Sequence, residues 1–133
     1  LGIAQGKDFV QEMEGGLDAP VSQGGTNVSG GQRQRIAIAR ALVKRPELYI
    51  FDDSFSSLDT ATDARLRQAL RQHTAGATLV IIAQRVSSIV DADQILVLDG
   101  GRLVAHGTHA ELLETSETYQ EIVNSQLAAE EAA

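Results

Sequence analysis

The chain has 133 residues, of which 43% are hydrophobic, and it carries a formal net charge of -7 and no cysteine. This length suits one domain or a piece of one, and the charge argues against a nucleic-acid surface held by a basic field. The lack of cysteine excludes disulfides and thiolate metal sites, and no apolar run approaches the ~20 residues of a membrane-spanning helix. Because Leu1 stands where an initiator Met is usual, we expect the chain to be part of a longer protein.

In chain order, the sequence predicts helices that alternate with short apolar strands. A loop-rich segment, 1–27, precedes a helix at 29–43, which Pro46 ends. Strands buried on both faces and alternating with helices indicate an α/β sheet with helices packed on it. The later predicted elements are a strand at 48–51, a helix capped by Asp59 or Thr60 and ending at His73, a strand at 77–83, a hairpin of strands at 94–98 and 102–106, a capping box at Thr108 and Glu111, and a last helix with Tyr119, Ile122, Val123 and Leu127 on one stripe.

Two adjacent carboxylates, Asp52 and Asp53, follow the first of these strands. Open α/β sheets bind ligands beyond the carboxyl ends of their strands, and Gln84 follows the strand at 77–83 in the same way. Ionised carboxylates beside an apolar strand are costly unless a cation, usually a metal ion, stands in front of them. We therefore expect a cation at this end of the sheet.

The stretch VSGGQ begins the helix at 29–43. Ser29 and Gln32 have the spacing of a capping box, and Gly30 and Gly31 leave the first N–H groups of the helix sterically open. A capping box alone is typical of any helix start. Two glycines are poor helix formers, however, and a close approach by their own backbone explains them best. The pattern therefore predicts an anion site at this helix end.

These residues, followed by RQRIAIARAL, a strand ending in DD, and SSLD, resemble the nucleotide-binding domain of an ABC transporter of the exporter type. The resemblance runs from Phe9 to Leu127, with every motif in family order. It implies the C-terminal portion of a P-loop NTPase-like α/β domain. By the same resemblance, residues 1–45 form the rear of the helical subdomain, 46–127 form the C-terminal part of the ATPase core, and 128–133 form a tail.

The resemblance implies ATP and Mg²⁺ as cofactors. Residues 29–32 match the signature loop, which contacts the γ-phosphate of ATP bound to the opposite subunit, and Val28 replaces the usual Leu as an apolar anchor. Asp52 matches the Walker B aspartate that holds Mg²⁺. Asp53 occupies the place of the glutamate that orients the attacking water.

Other matches concern contacts with partners. Ser57 and Asp59 belong to SSLD, which matches the D-loop at the seam between two such domains. The SQGG segment at 22–25 resembles the loop that touches the coupling helices of the transmembrane domain. The arginines of the signature helix are expected to form a solvated or interfacial face: Arg33, Arg35 and Arg40.

Asp53 and Gln84 depart from the family pattern. Aspartate is one methylene shorter than the usual glutamate, and misplacement of a carboxylate by roughly 1 Å can cost ~10²-fold in rate. Glutamine cannot carry the positive charge of the histidine that the family has at position 84. The pair predicts a degenerate half-site, and an intact signature loop that completes the site of a different subunit in a heterodimer.

The Walker A loop is missing from the chain, since GIAQGKD at 2–8 has the wrong spacing and Asp8 where Ser or Thr should be. We expect the chain by itself to bind ATP poorly and to be inactive. Two alternatives stay open: a regulatory module that only completes a partner's site, and a soluble ABC ATPase. SQGG and GGRLVAHGTHAELL favour an exporter, with a second ABC subunit and its own transmembrane domain as partners, at the cytoplasmic face of the membrane, without direct lipid contact from these residues.

Overall fold

The structure is a computed structural model that describes residues 1–131. The chain forms two compact units, Leu1–Ile82 and Ala83–Ala133. The first unit contains helices on a parallel strand pair, so the predicted α/β class is confirmed. Its elements are α1 (Lys7–Glu12), 3₁₀ turns at Gly16–Asp18 and Gln23–Gly25, α2 (Gly30–Val43), β1 (Leu48–Asp52), α3 (Thr60–His73) and β2 (Thr78–Ile82).

Capping residues set the ends of the two long helices of the first unit. The Ser29 side chain caps α2, and the Asp59 side chain caps α3 by accepting a hydrogen bond from the Thr62 backbone N–H. Helix α2 stops at Val43, because Pro46 follows closely and cannot continue a helix. Both predicted helix starts are therefore confirmed.

The core of the first unit lies between its two long helices and β1. Strands β1 and β2 pair in parallel, with Asp52 opposite Ile82 at their carboxyl ends. Tyr49 and Phe51 point into the core with stacked rings, whose centroids lie 5.9 Å apart. The buried residues of this core are Ala4, Ile38, Ala39, Tyr49, Phe51, Phe55, Leu58, Leu66 and Leu70.

The opposite face of the same strands is exposed, so the expectation of strands buried on both faces is wrong for this chain. We call this surface the outer face; it consists of Leu48, Ile50, Val80 and Ile82, whose exposed fractions run from 42% to 64%. The physical reason is that the helices of this unit pack on one face of the sheet only, the face that carries Tyr49 and Phe51. The strands thus have the apolar composition of a sheet that is covered on both faces, although only one face is covered here.

The second unit is a hairpin followed by two helices. Its elements are a 3₁₀ turn at Val86–Ser88, β3 (Ile95–Asp99), β4 (Arg102–Gly107), α4 (His109–Thr115) and α5 (Glu117–Glu131). The strands are antiparallel and joined by Gly100 and Gly101, both at positive φ, as a tight hairpin turn requires. Its buried core consists of Val86, Ile95, Val97, Leu112 and Tyr119.

The last helix differs from its predicted form. Of the predicted apolar stripe, Tyr119 is buried, whereas Ile122 and Leu127 are 37% and 53% exposed. Helix α5 also continues to Glu131, past the predicted start of a tail at residue 128, and the end of that tail, 132–133, lies outside the described residues. Among the described residues, none of the helices has both the length and the apolar character needed to cross a bilayer.

Candidate functional site

The N-terminus of α2 has the predicted capping box. The Ser29 hydroxyl oxygen accepts the Gln32 backbone N–H at 3.2 Å, and the Gln32 side-chain oxygen accepts the Ser29 N–H at 2.9 Å. Val28 is buried, as expected for an apolar anchor. The first N–H groups of the helix, those of Gly30 and Gly31, have no partner within a helix and point out of its end. This end can therefore accept an anion.

The two glycines of this stretch have an intramolecular explanation. A Cβ atom on Gly31 would lie 2.9 Å from the backbone oxygen of Ser57, and one on Gly30 would lie 3.4 Å from the Ser57 hydroxyl. The close backbone approach inferred from the sequence is thus present, but it is made by the loop that follows β1. Gly31 is required by this packing whether or not a ligand binds.

Asp52 and Asp53 lie at the carboxyl end of β1, and both residues are exposed. Asp53 has φ of 46°, in the left-handed region that aspartate tolerates better than most residues. Its N–H donates to the Ile82 carbonyl at 3.0 Å, and its carboxylate accepts a hydrogen bond from the Ser56 hydroxyl at 3.1 Å. Because water solvates both carboxylates, burial alone does not demand a cation, and that step of the sequence argument was wrong.

The side chain of Gln34 joins α2 to the loop that carries Asp53. Its amide nitrogen donates to the Asp53 carbonyl and to the Ser56 hydroxyl, each at 3.1 Å. Its amide oxygen accepts the Ser57 backbone N–H at 3.0 Å. The structure therefore brings the predicted residues 29–32, Asp53 and Ser57 together in one unit.

The other predicted site residues have structural partners of their own. Asp59 caps α3, and hydrogen bonds to its carboxylate from Thr62 hold the pKa of Asp59 below its ordinary value of 3.8. Gln84 belongs to the second unit, where its carbonyl accepts a hydrogen bond from the Gln126 side chain at 2.6 Å. Gln126 also accepts the Val86 N–H at 2.8 Å, so α5 fixes the segment around Gln84.

Three consecutive residues of α2, Arg33, Gln34 and Arg35, bond other segments of the unit, and the sequence did not predict these contacts. Arg33 donates to the Gly24 carbonyl at 2.9 Å, and Arg35 donates to the Gln5 carbonyl at 2.7 Å with its guanidinium 4.7 Å from the Phe9 ring centroid. Arg33 is exposed, as expected for a solvated face, whereas Arg35 is only half-exposed and packs within the unit. A usable signal for Gln34 was its spacing, because it lies three residues after Gly31 and so on the same side of the helix.

The SQGG segment is held in a defined loop. The Asn27 side-chain oxygen accepts the N–H and hydroxyl of Ser22, at 3.0 and 2.9 Å, and its nitrogen donates to the Pro20 carbonyl at 2.9 Å. The bond from Arg33 to Gly24 joins this loop to α2. The loop, the helix and the segment after β1 therefore form one connected hydrogen-bonded assembly.

The carboxylates at the end of β1 have the chemistry of Mg²⁺ ligands. This ion prefers oxygen ligands, keeps several waters, and is commonly bound by one or two carboxylates together with substrate phosphates. Asp52 supplies such an oxygen donor, while the residues described here contain no cluster of three or more His, Asp or Glu that would hold an ion alone. The donor set fits a Mg²⁺ that arrives with phosphates.

Comparison with known proteins gives consistent matches. A family model described as ABC transporter matches residues 5–56. An uncharacterized ABC transporter ATP-binding protein of Mycobacterium tuberculosis is 49% identical over 126 residues, 95% of this chain and 21% of that protein. An ATP-dependent lipid A-core flippase of Francisella tularensis is 44% identical over 124 residues, 93% of this chain and 20% of that protein. The chain thus spans about a fifth of the length of the curated relatives it matches.

A solved structure is similar as well. That of a bacterial Atm1-family ABC exporter with ATP bound has a TM-score of 0.91 and 40% sequence identity to this chain. The match covers 95% of this chain and 22% of the exporter chain. Sequence and fold therefore agree on the same group of proteins.

Proposed function

Because the chain belongs to the ABC transporter family, we propose that it forms the C-terminal part of an exporter-type nucleotide-binding domain and takes part in ATP hydrolysis that powers export. The observation that carries this proposal is the hydrogen-bonded contact between the N-terminal turns of α2 and the loop after β1. One side of the contact suits a phosphate, and the other carries carboxylates suited to a metal and a water. The Walker A loop and transmembrane domain are assigned to the remainder of the whole protein.

The N-terminus of α2 is assigned to phosphate binding. The outward N–H groups of Gly30 and Gly31, with the positive end of the helix dipole, favour an anion without any change in formal charge. The Ser29 hydroxyl accepts the Gln32 N–H, which leaves its hydrogen available to donate. In a head-to-tail pair this end would face the ATP of the opposite subunit.

The end of β1 is assigned to the chemistry at the chain's own ATP. Asp52 would hold Mg²⁺, which when bound offsets the negative charge of the phosphates. Asp53 would accept a hydrogen bond from the attacking water and orient it towards the phosphorus. Its carboxylate has one methylene less than glutamate, which withdraws it by roughly 1 Å and lowers the rate.

We further propose that this half-site is the slow one of an asymmetric pair. Gln84, in the place of the switch histidine, can hydrogen-bond a phosphate but cannot offer a positive charge. With the short Asp53, this supports a heterodimer in which a second ABC subunit supplies the stronger Walker B and switch residues, at the cytoplasmic face of a membrane. The intact residues 29–32 would complete the site of that second subunit.

The test is restoration of the usual residues in the whole protein assembled with its partner. Asp53→Glu combined with Gln84→His is expected to raise ATP turnover at the slow site by between about tenfold and about a hundredfold. Single-turnover hydrolysis and trapped-nucleotide assays on the purified heterodimer measure this change. Asp93→Glu, the same lengthening on an exposed loop of the second unit, serves as the matched control.

Two outcomes would contradict the proposal. Full ATPase activity of the unaltered protein as a homodimer would remove the case for a slow half-site. Unchanged turnover and unchanged nucleotide trapping in the restored variant would show that positions 53 and 84 do not have the roles given to them.

A further inference from the structure

We propose that Gln34 is a positioning residue that fixes the carboxylate of Asp53 through the hydroxyl of Ser56. This inference rests on the role proposed above for Asp53 in orienting water. Gln34 lies on α2, outside residues 29–32, and it would touch neither nucleotide nor water. Its effect would be transmitted entirely by the loop after β1.

The bonds around Gln34 leave one consistent assignment of its amide. The oxygen must face the Ser57 N–H, which can only donate, and the nitrogen must face the Asp53 carbonyl, which can only accept. The second hydrogen of the nitrogen then points to the Ser56 hydroxyl oxygen at 3.1 Å. Both hydrogens of the amide nitrogen and one lone pair of the amide oxygen are therefore used in bonds to the loop.

This assignment decides where the single hydrogen of Ser56 goes. The Ser56 hydroxyl has two acceptors in reach, the Asp53 carbonyl at 3.2 Å and the Asp53 carboxylate at 3.1 Å. Because the Gln34 nitrogen donates to the Ser56 oxygen, the hydroxyl hydrogen must point away from Gln34, and of its two acceptors the charged carboxylate makes the stronger bond. Gln34 therefore orients the Ser56 hydroxyl, and Ser56 holds one oxygen of Asp53.

The fixed carboxylate matters because of the backbone at Asp53. This residue is exposed and in the left-handed region, so few packing contacts restrain its side chain. Geometric control of a catalytic group accounts for large rate factors, and a displacement near 1 Å is enough to lose ~10²-fold. Without Gln34, the Ser56 hydroxyl and the Asp53 carbonyl lose their shared donor, so the loop that holds the carboxylate is less restrained.

The experiment uses the whole transporter assembled with its partner. Gln34→Leu keeps the approximate size of the side chain and removes its bonds, and we expect it to lower the single-turnover rate of hydrolysis at this chain's own half-site by about tenfold to about a hundredfold, with Kd for ATP within about twofold. Ser56→Ala is expected to give a similar loss. The double variant should lose no more than the larger of the two single losses, because both act on the same carboxylate.

A second measurement reports on the bridge without hydrolysis. Deuterium exchange in the nucleotide-free protein, read by mass spectrometry, should be faster in the peptide containing Ser57 when Gln34 is Leu. The matched control is Gln68→Leu, the same change on an exposed position of α3, which should alter neither the single-turnover rate at this half-site nor this exchange. Gln34→Glu should not rescue activity, because a carboxylate cannot donate to the Asp53 carbonyl.

The outcomes separate the two proposals. If the unaltered transporter turns over ATP and Gln34→Leu retains the single-turnover rate at this chain's own half-site, or if the two single losses multiply in the double variant, the positioning role is overturned. If exchange at Ser57 is unchanged, the bridge itself is overturned. If the unaltered transporter shows no ATP turnover, the proposed function fails, and the exchange measurement still tests the bridge.

Discussion

Gly31 is the residue of the candidate site with the least room for a side chain. Replacing it with alanine would place a Cβ atom 2.9 Å from the Ser57 backbone oxygen, so the loop after β1 must move. We expect Gly31→Ala to lower the free energy of unfolding by about 1–3 kcal/mol, the usual cost of overpacking, despite the better helix propensity of alanine. Thermal and urea unfolding of the purified protein measure this.

Gly30 provides the matched control for that substitution. A Cβ atom there would lie 3.4 Å from the Ser57 hydroxyl, an ordinary contact, and alanine favours the helix by up to about 1 kcal/mol. Gly30→Ala should therefore leave stability unchanged or slightly raised. Equal destabilisation by both substitutions would show that the contact with Ser57 is not the reason for Gly31.

The sequence predicted which residues belong to the candidate site, but it did not predict most of the contacts between them. The capping pair Ser29 and Gln32 was predictable because both partners lie within one helical turn. The bridge from Gln34 to Asp53 and Ser57 was not, because it joins positions 19 and 23 residues apart through backbone atoms that carry no sequence signature. The left-handed conformation of Asp53 escaped prediction for a related reason, since it depends on the pairing of its N–H with Ile82.

Among the elements, α4 has an end whose stability depends on pH. Glu111 accepts hydrogen bonds from the Thr108 backbone N–H at 2.8 Å and from its hydroxyl at 3.0 Å, and these hold the pKa of Glu111 below its ordinary value of 4.5. The folded-state pKa is thus below the unfolded one. The stabilisation is therefore present above about pH 4.5 and is lost as the pH falls through the folded-state pKa.

This predicts that Glu111→Gln reduces the pH dependence of stability in the acid range. The variant should lose less unfolding free energy than the unaltered protein between neutral pH and pH values below 4.5, because it has no carboxylate to protonate at the cap. Urea midpoints measured across that range test this. Glu114→Gln, an exposed substitution in the same helix, is the control, and the same flattening there would argue against the cap as the cause.

The elements themselves were largely predictable, because their signals are local. Capping residues gave the starts of α2, α3 and α4, and Gly100 and Gly101 gave the turn of the hairpin. Burial of whole faces was not predictable, because an apolar strand has the same composition whether one or both faces are covered in a given chain. The outer face of β1 and β2 and the exposed end of the α5 stripe are both errors of this kind.

For the whole molecule, the outer face of β1 and β2 predicts self-association of the isolated chain. Ile50 is 64% exposed beside Val80, and clustered exposed apolar side chains promote contacts between copies. We expect Ile50→Lys to shift the 133-residue chain towards monomer in concentration-dependent sedimentation velocity.

Thr78 offers a control on the same face. Thr78→Lys adds the same charge without removing an apolar side chain, so it should reduce association less than Ile50→Lys does. An unaltered chain that sediments as a monomer at every concentration would contradict this prediction. So would equal effects of the two lysines.

The three anchors on successive residues of α2 also limit how the chain can change in length. Arg33, Gln34 and Arg35 each point about 100° further round the helix and reach a different segment, near Gly24, the Asp53 loop and Gln5. Inserting one residue before Arg33 would rotate all three by that angle and shift them by about 1.5 Å, so all three contacts would fail together. A substitution at one of these positions removes the contacts of one side chain only, whereas an insertion or deletion removes the contacts of all three.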